Sequence, residues 1–359
     1  MSIHGAGMRL ARGEPDRTPG QQGQAGIEPA EAAPVSAIAC EARPGGYREP
    51  AAQQAAQVSV IVAARNAAHT IERALLSALA QPETLEVIVV NDASSDETGR
   101  IVEALGRTDP RIRLIELARN VGPGGARNIA LGAARGTFVT ILDADDFLLP
   151  GRLRSLAAQM GDADIIADDL CLSDAATPLQ IDGRLVGQAE PERLSLARFV
   201  QGNAVRPGQR PRELGFLKPL MRRAFLERHG LRYIDDLRLG EDFVLYAAAL
   251  AQGAKFILMP ARGYVAVRYG QSLSWNHRTE DLRAYLAACT DLAATGKLGP
   301  AERRAFRAHL LGLRRRLGHR ELLDAKREKG MGGVIEWIGR NADLAPAVAW
   351  RIFKDKLRR

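Results

Sequence analysis

Cysteine is scarce and long apolar runs are absent from this sequence of 359 residues. The three cysteines, Cys40, Cys171 and Cys289, are odd in number and far apart, so they offer neither a disulfide framework nor the close pairs of a zinc site. No apolar run approaches the roughly 18 residues that a membrane-spanning helix needs. The basic start and the apolar segment of about 7–15 residues that mark a signal peptide are also missing. We therefore expect a cytoplasmic protein with reduced cysteines.

Large apolar side chains are also scarce at the start of the chain. Residues 1–57 contain eight Gly, six Pro and 13 Ala, but only five residues from Leu, Ile, Val and Phe. A segment this poor in large apolar groups cannot offset the entropy lost on ordering, so we expect it to be disordered. The remainder has the length for two domains, or for one large domain with an appendage.

From residue 58 onward, apolar strand patterns alternate with helical patterns. Predicted strands cover 58–63, 86–90, 112–117, 137–142 and 163–167, and predicted helices cover 68–79, 96–105 and 125–135. This alternation indicates βαβ units and a Rossmann-like α/β fold with a mainly parallel sheet flanked by helices. Such sheets bind ligands at the carboxyl ends of their strands. The pattern weakens from 184 to 212, where we expect a loop over the site.

Three carboxylates stand in four positions directly after one predicted strand, in Leu142-Asp-Ala-Asp-Asp146. Like charges this close raise one another's pKa, and a divalent cation removes that penalty. Oxygen ligands of this kind suit Mg²⁺ or Mn²⁺, which bridge one or two carboxylates to substrate phosphates. The alternative is that Asp145 and Asp146 cap a helix start, where negative charge meets the helix dipole. We predict a metal and phosphate site at this strand end.

A series of motifs keeps a specific order and spacing between residues 58 and 278. They are Val58-Ser-Val-Ile-Val with Asn66, Val89-Val-Asn-Asp92-Ala-Ser-Ser-Asp96, Asn120, Gly125-Ala-Arg127-Asn128, Gly136, Leu142-Asp-Ala-Asp-Asp146, Lys218, Gly240-Glu241-Asp242, Arg268 and Ser272-Leu-Ser274. Together they resemble the inverting family 2 glycosyltransferases of the GT-A fold. The resemblance implies a GT-A domain over 58–278, after the disordered 1–57 and before a helical basic extension over 279–359. Within the family, the chain looks most like bacterial exopolysaccharide glucosyltransferases of the succinoglycan type.

The resemblance implies a metal-dependent transfer of a hexose, with glucose expected, from a UDP-sugar to a saccharide acceptor that can be lipid-linked. Asp92 and Asn66 match positions at the nucleotide, and Asp143 matches the first acid of the DxD motif, at the ribose and the metal. Asp145 matches the acid that binds Mg²⁺ or Mn²⁺ at the diphosphate. The metal would neutralise charge that builds on the leaving nucleoside diphosphate.

The reaction also needs a base that takes the proton of the acceptor hydroxyl. The resemblance implies that Asp242 is the first choice and Glu241 the second. The alternative is that these adjacent acids cap a predicted helix over 243–251. Asp168 and Asp169 end a predicted strand and are candidates for holding acceptor hydroxyls, or they lie on a loop surface.

Cations complete the site that the resemblance implies. Arg127 would orient the carboxylates of the DxD motif, or it is a buried arginine paired with Asp145 or Asp146 for structure only. Arg268 would place positive charge on the β-phosphate of the donor. His277 is a candidate third metal ligand, with a surface or packed histidine as the alternative.

Two other enzyme classes fit the motifs less well. The haloacid-dehalogenase phosphatases also place an Asp-x-Asp after an apolar strand, but they need Thr or Val where this chain has Asp146. A dinucleotide-binding loop at Gly122-Pro-Gly-Gly-Ala fails because Arg127 stands where the third glycine belongs. The non-enzyme alternative is a catalytically inactive nucleotide-sugar binding scaffold of polysaccharide assembly, which would not need the base Asp242.

Positive charge is concentrated at the end of the chain. The net charge is +8, and residues 300–359 contain 16 Lys and Arg against seven acids. Apolar residues are interspersed with these cations: Val334, Ile335, Trp337, Ile338, Val348, Trp350, Ile352 and Phe353. This pattern fits contact of residues 330–359 with an anionic membrane surface, at the inner face of the plasma membrane, or packing on the catalytic domain. We expect no nucleic-acid partner.

Overall fold

The computed structural model describes residues 56–204, 212–269, 278–295, 298–346 and 348–349. The segment predicted to be disordered lies outside these residues, apart from 56 and 57. Ser272, Ser274 and His277 lie outside them too, as do Trp350, Ile352 and Phe353 of the basic tail.

Twelve strands and nine helices lie within the described residues. The strands are β1 (Val58–Ala64), β2 (Thr84–Asn91), β3 (Ile112–Glu116), β4 (Phe138–Ile141), β5 (Phe147–Leu148), β6 (Ile165–Asp168), β7 (Cys171–Asp174), β8 (Thr177–Arg184), β9 (Glu192–Leu194), β10 (Leu220–Arg222), β11 (Phe256–Met259) and β12 (Tyr264–Arg268). The helices are α1 (Ile71–Leu79), α2 (Thr98–Thr108), α3 (Gly122–Ala133), α4 (Arg152–Ala158), α5 (Leu196–Gly202), α6 (Arg223–Arg228), α7 (Glu241–Ala251), α8 (Thr279–Ala294) and α9 (Pro300–Arg340).

The central sheet has eight strands in the order β3-β2-β1-β4-β10-β6-β11-β9. The strands β3, β2, β1 and β4 are mutually parallel, as the βαβ pattern predicts. Six of the seven residues of β1 are buried, because helices cover both faces of the sheet. The predicted α/β fold is confirmed. The sheet is more mixed than expected, since β10 runs antiparallel between β4 and β6, and β9 runs antiparallel to β11.

A second sheet, β5-β12-β7-β8, was not predicted from the sequence. Its first strand is the two-residue pair Phe147–Leu148, which directly follows the acidic motif and pairs with β12. A two-residue strand has no periodicity to detect, and its partner is more than a hundred residues away in the sequence. This pairing fixes the end of the acidic loop against the strand that ends at Arg268.

The loop expected over 184–212 is only partly a loop. Within it, β9 adds an edge strand beside β11, and α5 packs against α9 and α7. Ser195 is the N-cap of α5, and its hydroxyl accepts a hydrogen bond from the Arg198 N–H. Residues 205–211 lie outside the described part of the chain.

The C-terminal helices pack on the domain that precedes them. The helix α8 contacts α7, and α9 contacts α5 and α8. Within this contact, the His309 ring stacks on Phe243 at 4.7 Å between centroids, and the Tyr285 hydroxyl lies 3.3 Å from His309 Nε2. The boundary predicted at residue 278 stays a prediction, although α8 begins directly after it.

The helix α9 is bent back on itself at Gly330. The backbone there has φ 60° and ψ −142°, a conformation that favours glycine. Trp337 packs on Gly318, and a Cβ on Gly333 would lie 2.3 Å from the Ala325 carbonyl oxygen. Residues 331–340 therefore form a second helical segment that folds back along 318–329, and glycine permits the close approach.

We predict that His309 makes folding stability depend on pH between about 6.5 and 4. Burial, with the nearby charge of Arg316, lowers the pKa of His309 to about 4 from its ordinary 6.5. Above pH 6.5 the His309 ring is neutral in both the folded and the unfolded states, so protonation of the ring does not reduce the free energy of unfolding. As the pH falls towards 4 the unfolded state protonates first, and the folded state loses about 3 kcal/mol.

Urea unfolding of wild type and His309→Gln across this pH range measures the effect. The difference in unfolding free energy between wild type and His309→Gln should shrink as the pH falls. The variant His69→Gln, at an exposed position, should follow wild type throughout. A wild-type pH dependence that His309→Gln preserves in full contradicts the prediction.

Candidate active site

The polar side chains predicted to form a site follow adjacent parallel strands. Asn66 follows β1, Asp92 follows β2, and Asp143 and Asp145 follow β4. Carboxyl ends of parallel strands meet at one edge of the sheet, which is where open α/β sheets bind their ligands. The helices α3 and α7 bring further charged residues to this edge.

Two buried cations bridge Asp143, at the end of β4, to Asp242, in the first turn of α7. Lys218 Nζ lies 2.9 Å from Asp143 Oδ2 and 2.8 Å from Asp242 Oδ2. Arg127, from α3, donates through Nη2 to Asp143 Oδ1 at 2.8 Å and through Nη1 to Asp242 Oδ1 at 3.1 Å. Both oxygens of both carboxylates are engaged. The arrangement fixes the spacing between the first acid of the DxD motif and the predicted base.

Burial makes the charges in this bridge interdependent. Arg127 and Lys218 are each only 5% exposed. Burial alone would lower their pKa values, but the charges of Asp143 and Asp242 raise the pKa of both cations. Burial raises the pKa of Asp143, but the charges of Lys218 and Arg127 outweigh it and lower that pKa to about 2. Removing one member would therefore leave a buried charge uncompensated.

The two candidate bases have different surroundings. Asp242 accepts hydrogen bonds from Lys218, Arg127 and the Tyr233 hydroxyl, the last at 3.0 Å. Glu241 accepts from Arg127 Nη1 at 2.8 Å, and its side chain is 15% exposed. Burial, and then the charge of Asp242, raise the pKa of Glu241. The helix-cap interpretation is wrong for Asp242, because its contacts are with these three side chains and Gly240 occupies the N-cap of α7.

Tyr233 is a site residue that the sequence analysis missed. The Asn128 side chain binds both backbone groups of Tyr233: its Oδ1 accepts from the Tyr233 N–H at 2.9 Å, and its Nδ2 donates to the Tyr233 carbonyl at 2.8 Å. The Arg127 guanidinium lies over the Tyr233 ring, 5.4 Å from its centroid. The adjacent pair Arg127-Asn128 was part of the family resemblance, but nothing local to residue 233 indicates which tyrosine the pair would contact.

The three acids after β4 have three different environments. Asp145 is exposed, its side chain has no hydrogen-bond or ion-pair partner in the described residues, and its backbone carbonyl accepts from Arg73 Nη2 at 2.6 Å. Asp146 is buried, and accepts from the Tyr264 hydroxyl and the Val267 N–H, each at 2.9 Å. No helix starts here, since α4 begins at residue 152, so the capping alternative is wrong. Asp146 instead ties the acidic loop to β12.

The predicted pairing of Arg127 with Asp145 or Asp146 is also wrong. Its guanidinium contacts Asp143, Glu241 and Asp242 instead. Arg127 is buried, as that alternative assumed, but its partners are Asp143 and the two candidate bases, Glu241 and Asp242. Its Nε is buried and has no hydrogen-bond partner among the residues that the structure describes.

Asp143 and Asp145 fit a divalent cation held partly by phosphate. Burial and the Asp143 charge raise the pKa of Asp145, so a cation beside it would relieve that repulsion. Within the described residues, no group of three or more His, Cys, Asp and Glu is arranged to hold a metal. The two carboxylates of Asp143 and Asp145 suit Mg²⁺ or Mn²⁺, because these ions take one or two carboxylates together with water and phosphate oxygens.

Asp92 and Asn66 shape the loops beside these acids. Asp92 is buried and accepts from Asn120 Nδ2 at 2.5 Å and from the N–H groups of Val121 and Gly122 at 2.7 and 2.9 Å. It thereby anchors the start of α3, which positions Arg127. Asn66 has φ 50°, which asparagine tolerates, and its Oδ1 accepts from the Ser95 N–H at 2.8 Å. Whether either residue touches a nucleotide stays a prediction.

Arg268 lies at the exposed end of β12. Its guanidinium pairs with Asp182 of β8 and donates through Nε to the Ser173 carbonyl at 3.4 Å. The structure thus places this cation on the four-stranded sheet, in contact with Asp182 rather than with the strand-end acids. The segment after it, with the candidate ligand His277, lies outside the described residues.

Asp168 and Asp169 are buried anchors, and neither sequence interpretation of them is correct. Asp168 is fully buried and pairs with Arg152, whose Nη2 also donates to the Lys218 carbonyl at 2.5 Å. Asp169 accepts three N–H groups, from residues 186, 187 and 188, at 2.7–2.9 Å. Both side chains are fully buried, so neither carboxylate is accessible to an acceptor sugar. Asp168 instead supports the backbone that carries Lys218.

The sequence matches a known family and a protein that is named for succinoglycan biosynthesis. Residues 59–225 match the profile of the family described as Glycosyl transferase family 2. Over 303 residues, the chain is 43% identical to "Succinoglycan biosynthesis protein ExoU" of Rhizobium meliloti, covering 84% of this chain and 88% of that protein.

Solved structures with the same fold include two glycosyltransferases. One is TarS 1–349 of S. aureus in complex with UDP-GlcNAc, with TM-score 0.55, 19% identity, and 80% of this chain and 92% of that chain covered. The other is the mannosyltransferase PcManGT of Pyrobaculum calidifontis in complex with GDP-Man and Mn²⁺, with TM-score 0.52, 21% identity, and 84% and 80% covered. At these identities the likeness shows the GT-A fold alone.

We predict strong energetic coupling between Lys218 and Asp242. Lys218→Met leaves the carboxylates of Asp143 and Asp242 with Arg127 alone of the two bridging cations, and we expect a loss of about 3–5 kcal/mol in unfolding free energy. Asp242→Asn should also destabilise, and the double variant should cost less than the sum because it removes both charges. Urea unfolding of the four proteins measures the coupling.

The matched control is the cycle of Lys255→Met and Asp162→Asn, an ion pair of 2.6 Å whose side chains are largely in solvent. We expect that cycle to be close to additive. A Lys218–Asp242 coupling no larger than that of the exposed pair would show that the buried bridge does not act as a unit.

Proposed function

The chain belongs to glycosyl transferase family 2 and is a glycosyltransferase. From this premise we propose that it transfers a hexose from a UDP-sugar to a saccharide acceptor, and that the hexose is glucose. The observation that supports the proposal best is the Asp143–Asp242 pair, which is held at a fixed spacing by Lys218 and Arg127. This pair holds Asp143, which we propose lies at the ribose and the metal, at a fixed spacing from the candidate base Asp242. The linkage formed is β, with inversion at the anomeric carbon.

The donor and the pathway are proposed from the relatives. The protein that is 43% identical is named for succinoglycan biosynthesis, which favours an exopolysaccharide or cell-surface glycan as the product. The TarS structure holds UDP-GlcNAc and the PcManGT structure holds GDP-Man, so both support a nucleotide-sugar donor, and the uridine diphosphate is proposed from the family resemblance. We propose residues 58–278 as the catalytic domain and 279–359 as its helical extension.

A divalent cation, Mg²⁺ or Mn²⁺, fits Asp145 and Asp143. When bound, it supplies positive charge to the diphosphate that leaves the sugar. Asp145 is the principal ligand we propose, because its carboxylate is exposed and has no protein partner in the described residues. Asp143 is held in place by Lys218 and Arg127. The related fold that binds Mn²⁺ with GDP-Man supports this assignment.

In the proposed reaction, the acceptor hydroxyl oxygen forms a bond to the anomeric carbon as the bond from that carbon to the diphosphate oxygen breaks. The hydroxyl proton passes to the carboxylate of Asp242, and UDP leaves with the electron pair of the broken bond. Lys218, Arg127 and Tyr233 fix the orientation of Asp242. We propose from the resemblance that Asp92 and Asn66 contact the nucleoside. Arg268 pairs with Asp182 and would have to leave that partner to contact the β-phosphate.

Glu241 is the second candidate base, favoured by a separate observation. The pKa of Glu241 is raised and its side chain is partly exposed, whereas the Asp242 carboxylate is bound to both Lys218 and Arg127. A catalytically inactive nucleotide-sugar binding scaffold remains the alternative function. Such a scaffold would bind the donor without needing either residue as a base.

The proposed location of the protein in the cell depends on where its saccharide acceptor is found. We propose a cytoplasmic protein held at the inner face of the plasma membrane, where a lipid-linked saccharide would be available. Across the described part of the chain, the structure contains no helix with the length and apolar character to span a bilayer.

We predict that Asp145→Ala abolishes turnover and metal-dependent UDP binding together, because both need the cation. Transfer of radiolabelled glucose from UDP-glucose and calorimetric UDP titration with Mn²⁺ measure the two effects. Asp162→Ala, an exposed acid that pairs with Lys255, is the control and should leave both unchanged. Full Mn²⁺-dependent UDP binding by Asp145→Ala would remove it as a ligand.

We predict that Asp242→Asn retains UDP binding and lowers kcat by about 10²–10⁴-fold, the usual contribution of a positioned base. Glu241→Gln is the matched comparison and should lower kcat by much less. If Glu241→Gln loses turnover and Asp242→Asn keeps it, the base is Glu241. If both remain active on every UDP-sugar, the base assignment fails.

A further inference from the structure

Arg73, in the first turn of α1, binds the loop that carries the proposed metal ligand Asp145. Its Nη2 donates to the Asp145 backbone carbonyl at 2.6 Å and to the Tyr269 hydroxyl at 3.3 Å. Its guanidinium also lies over the ring of Phe147, 5.1 Å from the centroid. Arg73 therefore lies at the same edge of the sheet as the DxD motif, between the acidic loop and the residue that follows β12.

Arg73 has no acidic partner in the part of the chain that the structure describes. Its contacts there are with a carbonyl, a hydroxyl and an aromatic ring, all of them neutral groups, and its Nε is buried without a hydrogen-bond partner. The residue is partly buried, which costs the cation some of its hydration. Arg127 and Arg268, the other arginines predicted to act at this site, both pair with carboxylates. Of these three arginines, Arg73 is the one that lacks a counter-ion among the described residues.

The proposed donor would bring an anion to this position. A divalent cation at the Asp145 carboxylate would hold oxygens of the diphosphate, and Arg73 binds the backbone carbonyl of that same residue. Within the described chain, the hydrogen bonds of Arg73 use only Nη2, so the N–H groups of Nη1 are available to a further partner. Guanidinium N–H groups form a planar fork that fits phosphate oxygens. A diphosphate held at Asp145 would therefore supply the counter-charge that Arg73 lacks.

We propose that Arg73 contacts the diphosphate of the nucleotide-sugar donor, in the role that the sequence analysis assigned to Arg268. Arg73 has no acidic partner to leave within the described chain, whereas Arg268 would first have to separate from Asp182. A cation at this position stabilises the negative charge that builds on the diphosphate as its bond to the anomeric carbon breaks. This inference rests on the proposed function, because it requires a donor bound beside Asp145.

Calorimetric titration of the full chain with UDP and with uridine tests the proposal, each ligand being measured with Mn²⁺ and with a chelator in its place. Arg73→Met removes the cation and keeps an unbranched apolar stem beside Phe147. We expect UDP to bind this variant about tenfold or more weakly, both with and without the metal, because a charge-assisted contact to the diphosphate is lost. Uridine has no phosphate, so we expect its binding to stay unchanged.

The matched control is Arg107→Met, an exposed arginine in the last turn of α2 that pairs with Glu103, and it should bind UDP as wild type does. Arg73→Lys keeps a positive charge and should recover part of the lost affinity, and far-ultraviolet circular dichroism checks that each variant folds.

Three outcomes overturn the proposal. The first is equal UDP binding by wild type and Arg73→Met, and the second is an equal loss of affinity for uridine. The third is a loss of UDP affinity that appears only with Mn²⁺, since Arg73 would then act only by positioning Asp145. All three leave the proposed function standing, whereas a wild-type chain that binds no nucleotide contradicts the proposed function itself.

Discussion

The site depends on one electrostatic constraint, the bridge that Lys218 and Arg127 form between Asp143 and Asp242. Two carboxylates brought together in a buried position would repel each other and raise each other's pKa. Two cations placed between them remove that repulsion and set the spacing, with all four contacts at 2.8–3.1 Å. The end of β4 and the first turn of α7 are thereby coupled.

Much of the surrounding structure positions this bridge. Asp92 anchors the start of α3, the helix that contains Arg127, and Asn128 of the same helix holds Tyr233 against Asp242. On the other side, the buried Arg152–Asp168 pair supports the backbone carbonyl of Lys218. These residues stabilise the site without having to touch a substrate. Asp92 and Asp168 both stand at strand ends, and their protein contacts hold the elements that carry the bridge.

The sequence predicts the fold well where the information is local. Apolar strands that alternate with helices predicted the parallel strands β1 to β4, and the polar residues after them predicted the edge at which the site lies. It predicts poorly whatever depends on distant partners. The pairing of β5 with β12, the contact of Tyr233 with Asn128 and the contact of buried Asp146 with Tyr264 all join residues a hundred or more positions apart in the sequence. Similarly, the spacing of apolar residues in α9 could not show which face the bend at Gly330 would cover.

Calorimetric titration of UDP into the full chain, with and without Mn²⁺, tests the central claim most directly, with GDP and dTDP as comparison ligands. The arrangement of Asp143 and Asp145 predicts that Mn²⁺ tightens UDP binding by about tenfold or more, since the cation joins carboxylate to diphosphate. It also predicts weaker binding of GDP and dTDP. If no nucleotide binds under either condition, or if UDP binds equally well without the metal, the assignment of this strand edge as a metal-dependent donor site is contradicted.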